Sequence, residues 1–380
     1  MGLAASTYTL FGGCAALAAY GLVPNIIYFG AVAVGLGAAV LWCGQGAYIT
    51  GLTTPSRIGT WQGRFFGAFM LAPIIGQGIV LLVIDVGGAS DQLLFAIMFG
   101  VSCAATLSFL CVRRRPAYLP PRPRPQHAKE GILRHALTTL RLGLELRAWL
   151  PGSIFLLSGV NQALMYGAAA QRIESDSMTA FALLTNGVCG VLGAMVFGRL
   201  SDTLSRRGVV LTSIACVALS VSLVGPAIAS TYGALPMSNS TSDAFFIAAF
   251  GAFGLSEGGL QTQGRSCITV LFPEQVENGF AFMLFCLAIA MAVAFIYGPR
   301  LVYTVQLAIV AVGVLFAVCM ALVVHLPREE LDRRAILALP KPLLLPPLIP
   351  PGDGQSYRVP ALHQETDSAC SRNSKKESTV

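Results

Sequence analysis

The segment Gly198-Arg199-Leu200-Ser201-Asp202-Thr203-Leu204-Ser205-Arg206-Arg207-Gly208 joins two stretches, 178–198 and 209–229, that contain no charged residue. Each is about the 20 residues that a helix needs to cross a bilayer, so the basic segment is a short link between two crossings. Its one acid, Asp202, precedes Arg206 and Arg207 by four and five residues. That spacing lets the carboxylate meet an arginine across one helical turn or cap a neighbouring helix N-terminus. The composition extends this reading to the whole chain. Of 380 residues, 55% are hydrophobic and 11% charged. A soluble domain carries about 25% charge, so there are too few charged groups to cover a water-facing surface. Lipid offers backbone groups no partners, and the spanning segments must therefore be helices, giving an all-α multi-pass membrane protein.

Apolar stretches predict ten spans, at 8–23, 26–50, 65–84, 93–112, 150–167, 178–198, 209–229, 244–261, 280–297 and 302–326. Pro24 and Pro299 mark two very tight links. With these spans, 23 of the 25 lysines and arginines fall on one side of the membrane and only Arg172 and Arg300 on the other. Basic loops resist translocation, so both termini and the central insert are expected in the cytoplasm. The net charge of +7 thus follows topology, and nucleic-acid binding is discarded. Asn239-Ser240-Thr241 is an N-glycosylation acceptor in a link expected outside. The amino terminus lacks a basic n-region and is taken as the first span. Met1-Gly2 with Ser6 fits the myristoylation pattern, which adds little to a chain already crossing lipid. The membrane is the plasma membrane or an endomembrane.

Four domains are expected: a four-helix N-terminal half-bundle at 1–112, a linker at 113–148, a six-helix half-bundle at 149–326 and a polar tail at 327–380. The linker begins with a proline- and arginine-rich spacer. It continues with Ile132, Leu133, Ala136, Leu137, Leu140 and Leu144 near one helical face, interleaved with Arg134, Arg141 and Arg147, the pattern of a helix lying on an anionic membrane surface. Six prolines between 340 and 351 exclude an eleventh span. Ser378 and Val380 end the chain in the S/T-x-hydrophobic pattern that PDZ domains bind as an added strand.

The segment 198–208 resembles the cytoplasmic loop motif G-x-L-S-D-x-x-x-R-R of the major facilitators, with Gly198, Asp202, Arg206 and Arg207 at the motif positions. The competing reading is an ordinary basic loop. The resemblance implies two six-helix halves that rock about a midplane site, with Asp202 latching the cytoplasmic faces in one state. On that pattern the second half is complete and the first lacks its two leading helices. Ala68-Phe69-Met70-Leu71 recurs as Ala281-Phe282-Met283-Leu284, a weak sign of parallel repeats. More specifically, Gly35-Leu36-Gly37-Ala38-Ala39-Val40-Leu41-Trp42-Cys43-Gly44-Gln45-Gly46-Ala47-Tyr48-Ile49-Thr50 resembles the fourth-helix signature of the uncoordinated ("Unc") family of ion-channel regulatory proteins, a branch of the major facilitators. Ser158-Gly159-Val160-Asn161-Gln162-Ala163 and 254–263 resemble its seventh and tenth helices. The resemblance implies either a transporter of a small solute or a non-transporting regulatory or trafficking partner of an ion channel or receptor.

Within the spans, Glu257 is the one acid well inside. An ionised carboxylate there costs about 2.5–3.5 kcal/mol, so it must be protonated, paired or facing water. The candidate cavity residues are Glu257, Gln45, Asn161, Gln162 and Trp42, with Gln77, Asn186, Gln261 and Tyr166 available to the same space. Interhelical hydrogen bonding is the plainer role for each amide, and core filling for each aromatic. Gly187, Gly190, Gly193 and Gly198 repeat at helical spacing and permit close helix contact. No nucleotide-binding loop, catalytic triad or Cys/His metal spacing occurs, so no cofactor, no metal and no enzymatic activity is expected.

Overall fold

The computed structural model describes residues 2–88, 90–111, 132–173, 175–324 and 326. The start of the linker, the tail and the Ser378 and Val380 terminus lie outside the described residues. Chain contacts divide the protein into Met1–Pro327 and Arg328–Val380.

The described part of the first unit consists of helices and the short links between them. In chain order the helices are α1 (Gly2–Ala19), α2 (Ile26–Leu52), α3 (Ile58–Phe69), α4 (Leu71–Val80), α5 (Asp91–Ser108), α6 (Ile132–Leu142), α7 (Trp149–Gln162), α8 (Asp176–Thr203), α9 (Arg206–Thr231), α10 (Asn239–Leu271), α11 (Val276–Tyr297) and α12 (Tyr303–Val323). Among the described residues, eight helical segments are long and apolar enough to span a membrane, with Ile58–Val83 forming one of them. The other two expected spans fall on α7 and α10. α7 passes into a π-helical turn, Ala163–Ala169, which shortens its regular part. α10 is 33 residues long, about 50 Å, but carries Asp243, Glu257 and Arg265. Surrounded by protein, it need not be apolar all round.

The surface is what lipid requires. Phe29, Val32, Leu36 and Val40 form an exposed stripe along α2, and Val312 and Leu315 do the same on α12. The core is the opposite case, with Phe155, Phe250, Phe253 and Phe280 fully buried around α10. α1, α2 and α5 pack together, and α7 through α12 form the larger bundle. The two groups meet where α3 and α4 lie on α8, α3 on α10, and α2 on α11.

The α3 to α4 break has a local cause. Pro73 donates no backbone N–H, and its ring clashes with the carbonyl of Phe69, so the helix reorganises at Met70. The amphipathic segment forms α6 but stops at Leu142, short of Leu144 and Arg147. Leu142 is buried, and Trp149 Nε1 donates to the Gly143 carbonyl at 2.8 Å, tying the helix to the start of α7. Leu137 and Leu140 stay exposed on its outer face. Arg147 turns back, donating to the Leu271 carbonyl at the end of α10 and lying 4.7 Å from the Phe272 ring centre. Asn239 is exposed at the first position of α10, after the Ser238 cap, so the acceptor sequence begins a helix and is not mid-loop.

Candidate functional site

Glu257, Gln261 and Arg265 recur every four residues along α10 and so share one face. All three are almost fully buried. α7 supplies the facing groups. The Ser158 hydroxyl lies 3.0 and 2.9 Å from the two Glu257 carboxylate oxygens and donates to them. Gln162 Nε2 donates to Oε1 at 2.7 Å, and Gln261 Nε2 donates to the same oxygen at 2.6 Å. Both amides also lie 3.0 Å from Ser158 Oγ. Three polar side chains thus replace the water that this carboxylate gives up on burial.

Arg265 completes the row. Its Nη1 donates to the Gln261 backbone carbonyl at 3.0 Å and also to the Gln261 side-chain oxygen. Gln261 therefore bridges the two charges, taking from the cation and giving to the anion. Three rings surround the guanidinium, with the centres of Phe66, Phe155 and Trp42 at 5.2, 5.4 and 5.6 Å. Arginine tolerates this because its planar cation is weakly hydrated and is attracted to aromatic faces.

Glu257, Gln261 and Arg265 form the floor of a cavity of about 480 Å³ between the two helix groups. One wall is Trp42 of α2, with Phe66 and Phe69 of α3 and Met70, Pro73 and Gln77 from the α3 to α4 break onward. The other is Gln162 and Tyr166, Leu183 and Asn186 of α8, and Leu284 and Leu287 of α11. Tyr166 lies in the π-helical turn, which re-aims it into the space, and its hydroxyl accepts from Asn186 Nδ2 at 2.9 Å. Exposure rises away from the floor: Glu257 is 2% exposed and Tyr166 37%.

At the end carrying 198–208, α8 is tied to α3 and α12. Asp202 accepts from the backbone N–H groups of Gly59 at 3.0 Å and Thr60 at 2.6 Å, capping the first turn of α3 from the end of α8. Arg206 Nη2 stands 3.8 Å from the same carboxylate, and Arg207 donates to the Val324 carbonyl at the end of α12 at 3.1 Å. The helices behind this latch touch through glycine. A Cβ on Gly63 would collide with the Ala194 carbonyl and lie 3.1 Å from the Gly198 Cα. One on Gly198 would meet the Gly59 carbonyl at 2.6 Å. Gly193 is used differently, lying against the Leu255 backbone of α10.

Of the residues singled out by sequence, Glu257, Gln162 and Trp42 line the cavity, as do Gln77, Asn186, Gln261 and Tyr166. Gln45 and Asn161 do not line it. They are buried, and their amide atoms have no hydrogen-bond partner among the described residues. Gly198 packs against α3, Asp202 caps α3 with Arg206 beside it, and Arg207 bonds the end of α12. Arg265 requires a correction, because it was assigned to a link on the basic side and stands inside α10, six residues before its end. Aromatic rings and Gln261 bury its charge, so an arginine here does not mark where the helix leaves the membrane. Ser158 was not foreseen. Arg265 was recoverable from its i+8 spacing to Glu257, whereas nothing in the α7 sequence marks Ser158 apart from its neighbours.

A bundle of spanning helices in two groups around a buried polar floor defines a membrane protein of the major-facilitator class. Two solved structures carry the same fold. The Escherichia coli fucose:proton symporter FucP superposes with a TM-score of 0.54 at 14% identity, covering 84% of this chain and 82% of that one. FucP in its outward conformation gives 0.53 at 12% identity, covering 84% and 81%. Within that class, residues 1–322 match the model of the ion channel regulatory protein UNC-93, and the chain belongs to this family. A curated relative, UNC93-like protein 3 of Arabidopsis thaliana, is 25% identical over 307 residues, which are 73% of this chain and 62% of the relative. The chain therefore spans less than two thirds of that relative's length. The family is described as one of ion channel regulatory proteins, and the fold is shared with a sugar symporter.

Proposed function

We propose that this UNC-93 family protein moves a small solute across the membrane, with the cavity between the helix groups as its binding site and Glu257, Gln261, Gln162 and Arg265 as its polar floor. One observation carries the reading: a cavity with a buried polar floor lies between the helix groups, and at the 198–208 end the groups are joined by a few breakable contacts centred on Asp202. A seal of hydrogen bonds and flat glycine contacts can part without unfolding either group, which alternating access requires. The major-facilitator fold supports it. In this proposal the latch end and both termini face the cytoplasm, Asn239 faces the other side, and α6 lies along the cytoplasmic leaflet. The proteoliposome test is uptake of a panel of labelled solutes by the purified full chain, beside Glu257→Gln. Saturable uptake of one solute that the variant loses is expected, and no uptake above empty vesicles by any member overturns the proposal.

A second reading, a regulatory or trafficking partner of an ion channel or receptor, is favoured by the family's description as ion channel regulatory proteins. Among the described residues, Glu257 and Arg265 are the charged residues of the cavity wall, which also favours it, since little is available for ion coupling. Recovery of a stoichiometric membrane partner on purification, together with failure of every uptake assay, is the outcome that selects it. A PDZ protein at Val380 is a separate proposal, tested by pulldown with and without that residue.

A further inference from the structure

The guanidinium of Arg265 is only half used. Both of its hydrogen bonds run from Nη1 to Gln261, and the Nε and Nη2 donors have no acceptor among the described residues. Arg265 is also the one basic residue in the cavity wall among the described residues, and Trp42 and Phe66 flank both it and the cavity. A planar two-donor edge beside apolar walls suits a single carboxylate attached to an apolar or aromatic body. With no second cation in the wall, a doubly charged ligand has no counterpart.

Glu257 constrains what can follow. Its Oε1 accepts three hydrogen bonds, whereas Oε2 accepts only from Ser158. As the site stands, one anion and one cation balance through Gln261. A second carboxylate would place two anions on one cation in a cavity walled by apolar groups, where repulsion is poorly screened. The other titratable group facing Glu257 is the Tyr166 phenol. The facing residues from α3, α8 and α11, Phe66, Asn186 and Leu284 among them, are uncharged.

We propose that the cavity floor binds the carboxylate of a small monocarboxylic acid on Arg265, and that Glu257 takes up one proton from the outer aqueous side when it does. The proton sits on Oε2. It donates to Ser158 Oγ, 2.9 Å away, which rotates its own hydrogen aside and gives up one of the two amide N–H groups it accepts, that amide keeping its bond to Oε1. One proton accompanies each carboxylate, and the loaded cavity carries no more charge than the empty one. This rests on the transport reading only for movement across the membrane; binding and proton uptake stand apart from it.

The probe is benzoate, with benzamide as its neutral isostere and benzylamine as its cationic counterpart. Binding to the purified full chain is measured calorimetrically in two buffers of different ionisation enthalpy, which counts protons taken up. Benzoate is expected to bind at least about tenfold more tightly than benzamide, with benzylamine weaker still. About one proton enters per benzoate, and affinity falls about tenfold per pH unit where that proton is linked. Glu257→Gln should bind benzoate with no proton uptake and no pH dependence, and Arg265→Met should lose the preference for benzoate over benzamide. If Arg265→Met does not fold, the benzoate and benzamide contrast and Glu257→Gln decide. Equal binding of benzoate and benzamide, absence of benzoate binding, or unchanged proton uptake in Glu257→Gln overturns the proposal. Vesicles that take up a neutral solute, with no benzoate binding to the purified chain, keep the transport reading and reject this one. Benzoate that binds with a proton, with no solute of the panel moved, does the reverse.

Discussion

Replacing Asp202 by alanine should open the sealed end of the bundle. The side chain is 7% exposed and accepts two backbone N–H groups at 3.0 and 2.6 Å, both from the first turn of α3. Those donors are the ones a helix start leaves without intrahelical partners. Hydrogen bonds to a charged acceptor contribute about 1.5–3 kcal/mol each. Taking the low end for both gives about 3 kcal/mol, and a bias of that size shifts a two-state equilibrium by about 150-fold. In the opened state water serves the same N–H groups, so nearly the whole difference falls on the closed state. The assay is a distance distribution between spin labels at Ser56, in the turn before α3, and Leu204, after α8, in a chain with its native cysteines replaced. The wild-type chain should show a dominant short distance, and Asp202→Ala a long one. Asp202→Asn, which keeps one acceptor oxygen and loses the charge, should fall between. An unchanged distribution in Asp202→Ala would refute the reasoning, because the contacts would then not hold the seal.

Gly63→Ala should lower the thermal midpoint in detergent by the equivalent of about 1–3 kcal/mol, since its methyl group meets backbone of α8 that cannot swing away. Gly35→Ala, with nothing within 4 Å of its added carbon, should leave the midpoint unchanged or raise it, and equal effects would dismiss the contact argument. Ser158→Ala should cost about 1.5–3 kcal/mol by removing a donor to a buried carboxylate. That loss should shrink in a Glu257→Gln background, and additivity within about 0.5 kcal/mol would count against a shared network. If Asn239 faces the glycosylating compartment, glycosidase should sharpen and speed the wild-type band on a gel and leave Asn239→Gln unaffected; identical bands argue against the proposed orientation.

Most of the architecture was legible from the length of the apolar stretches, because a bilayer sets that length and leaves helices as the solution. Among the described residues, eight helical segments are long and apolar enough to span, the expected spans at 150–167 and 244–261 fall on α7 and α10 instead, and α10 runs from Asn239 to Leu271. The error has a clear source. Arg265 looks in sequence like an arginine in a basic link, and only the rings of Phe66, Phe155 and Trp42 make it an interior residue. The Asp202 latch was expected on a helix N-terminus, and the structure identifies that helix as α3.

By itself the sequence determined that the chain is a bundle of lipid-facing helices with one buried acid, Glu257, inside a span. Hydrophobic length and helical period are local properties that any reader of the chain can count. Tertiary packing decided which polar groups meet: Ser158 reaches Glu257 from 99 residues away, and Gly59 and Thr60 meet Asp202 from more than 140. Gln45 and Asn161 make the same point from the other side. Their chemistry fits a cavity as well as that of Gln162 does, yet the rotation of their helices buries them away from it, and no composition or spacing records that rotation.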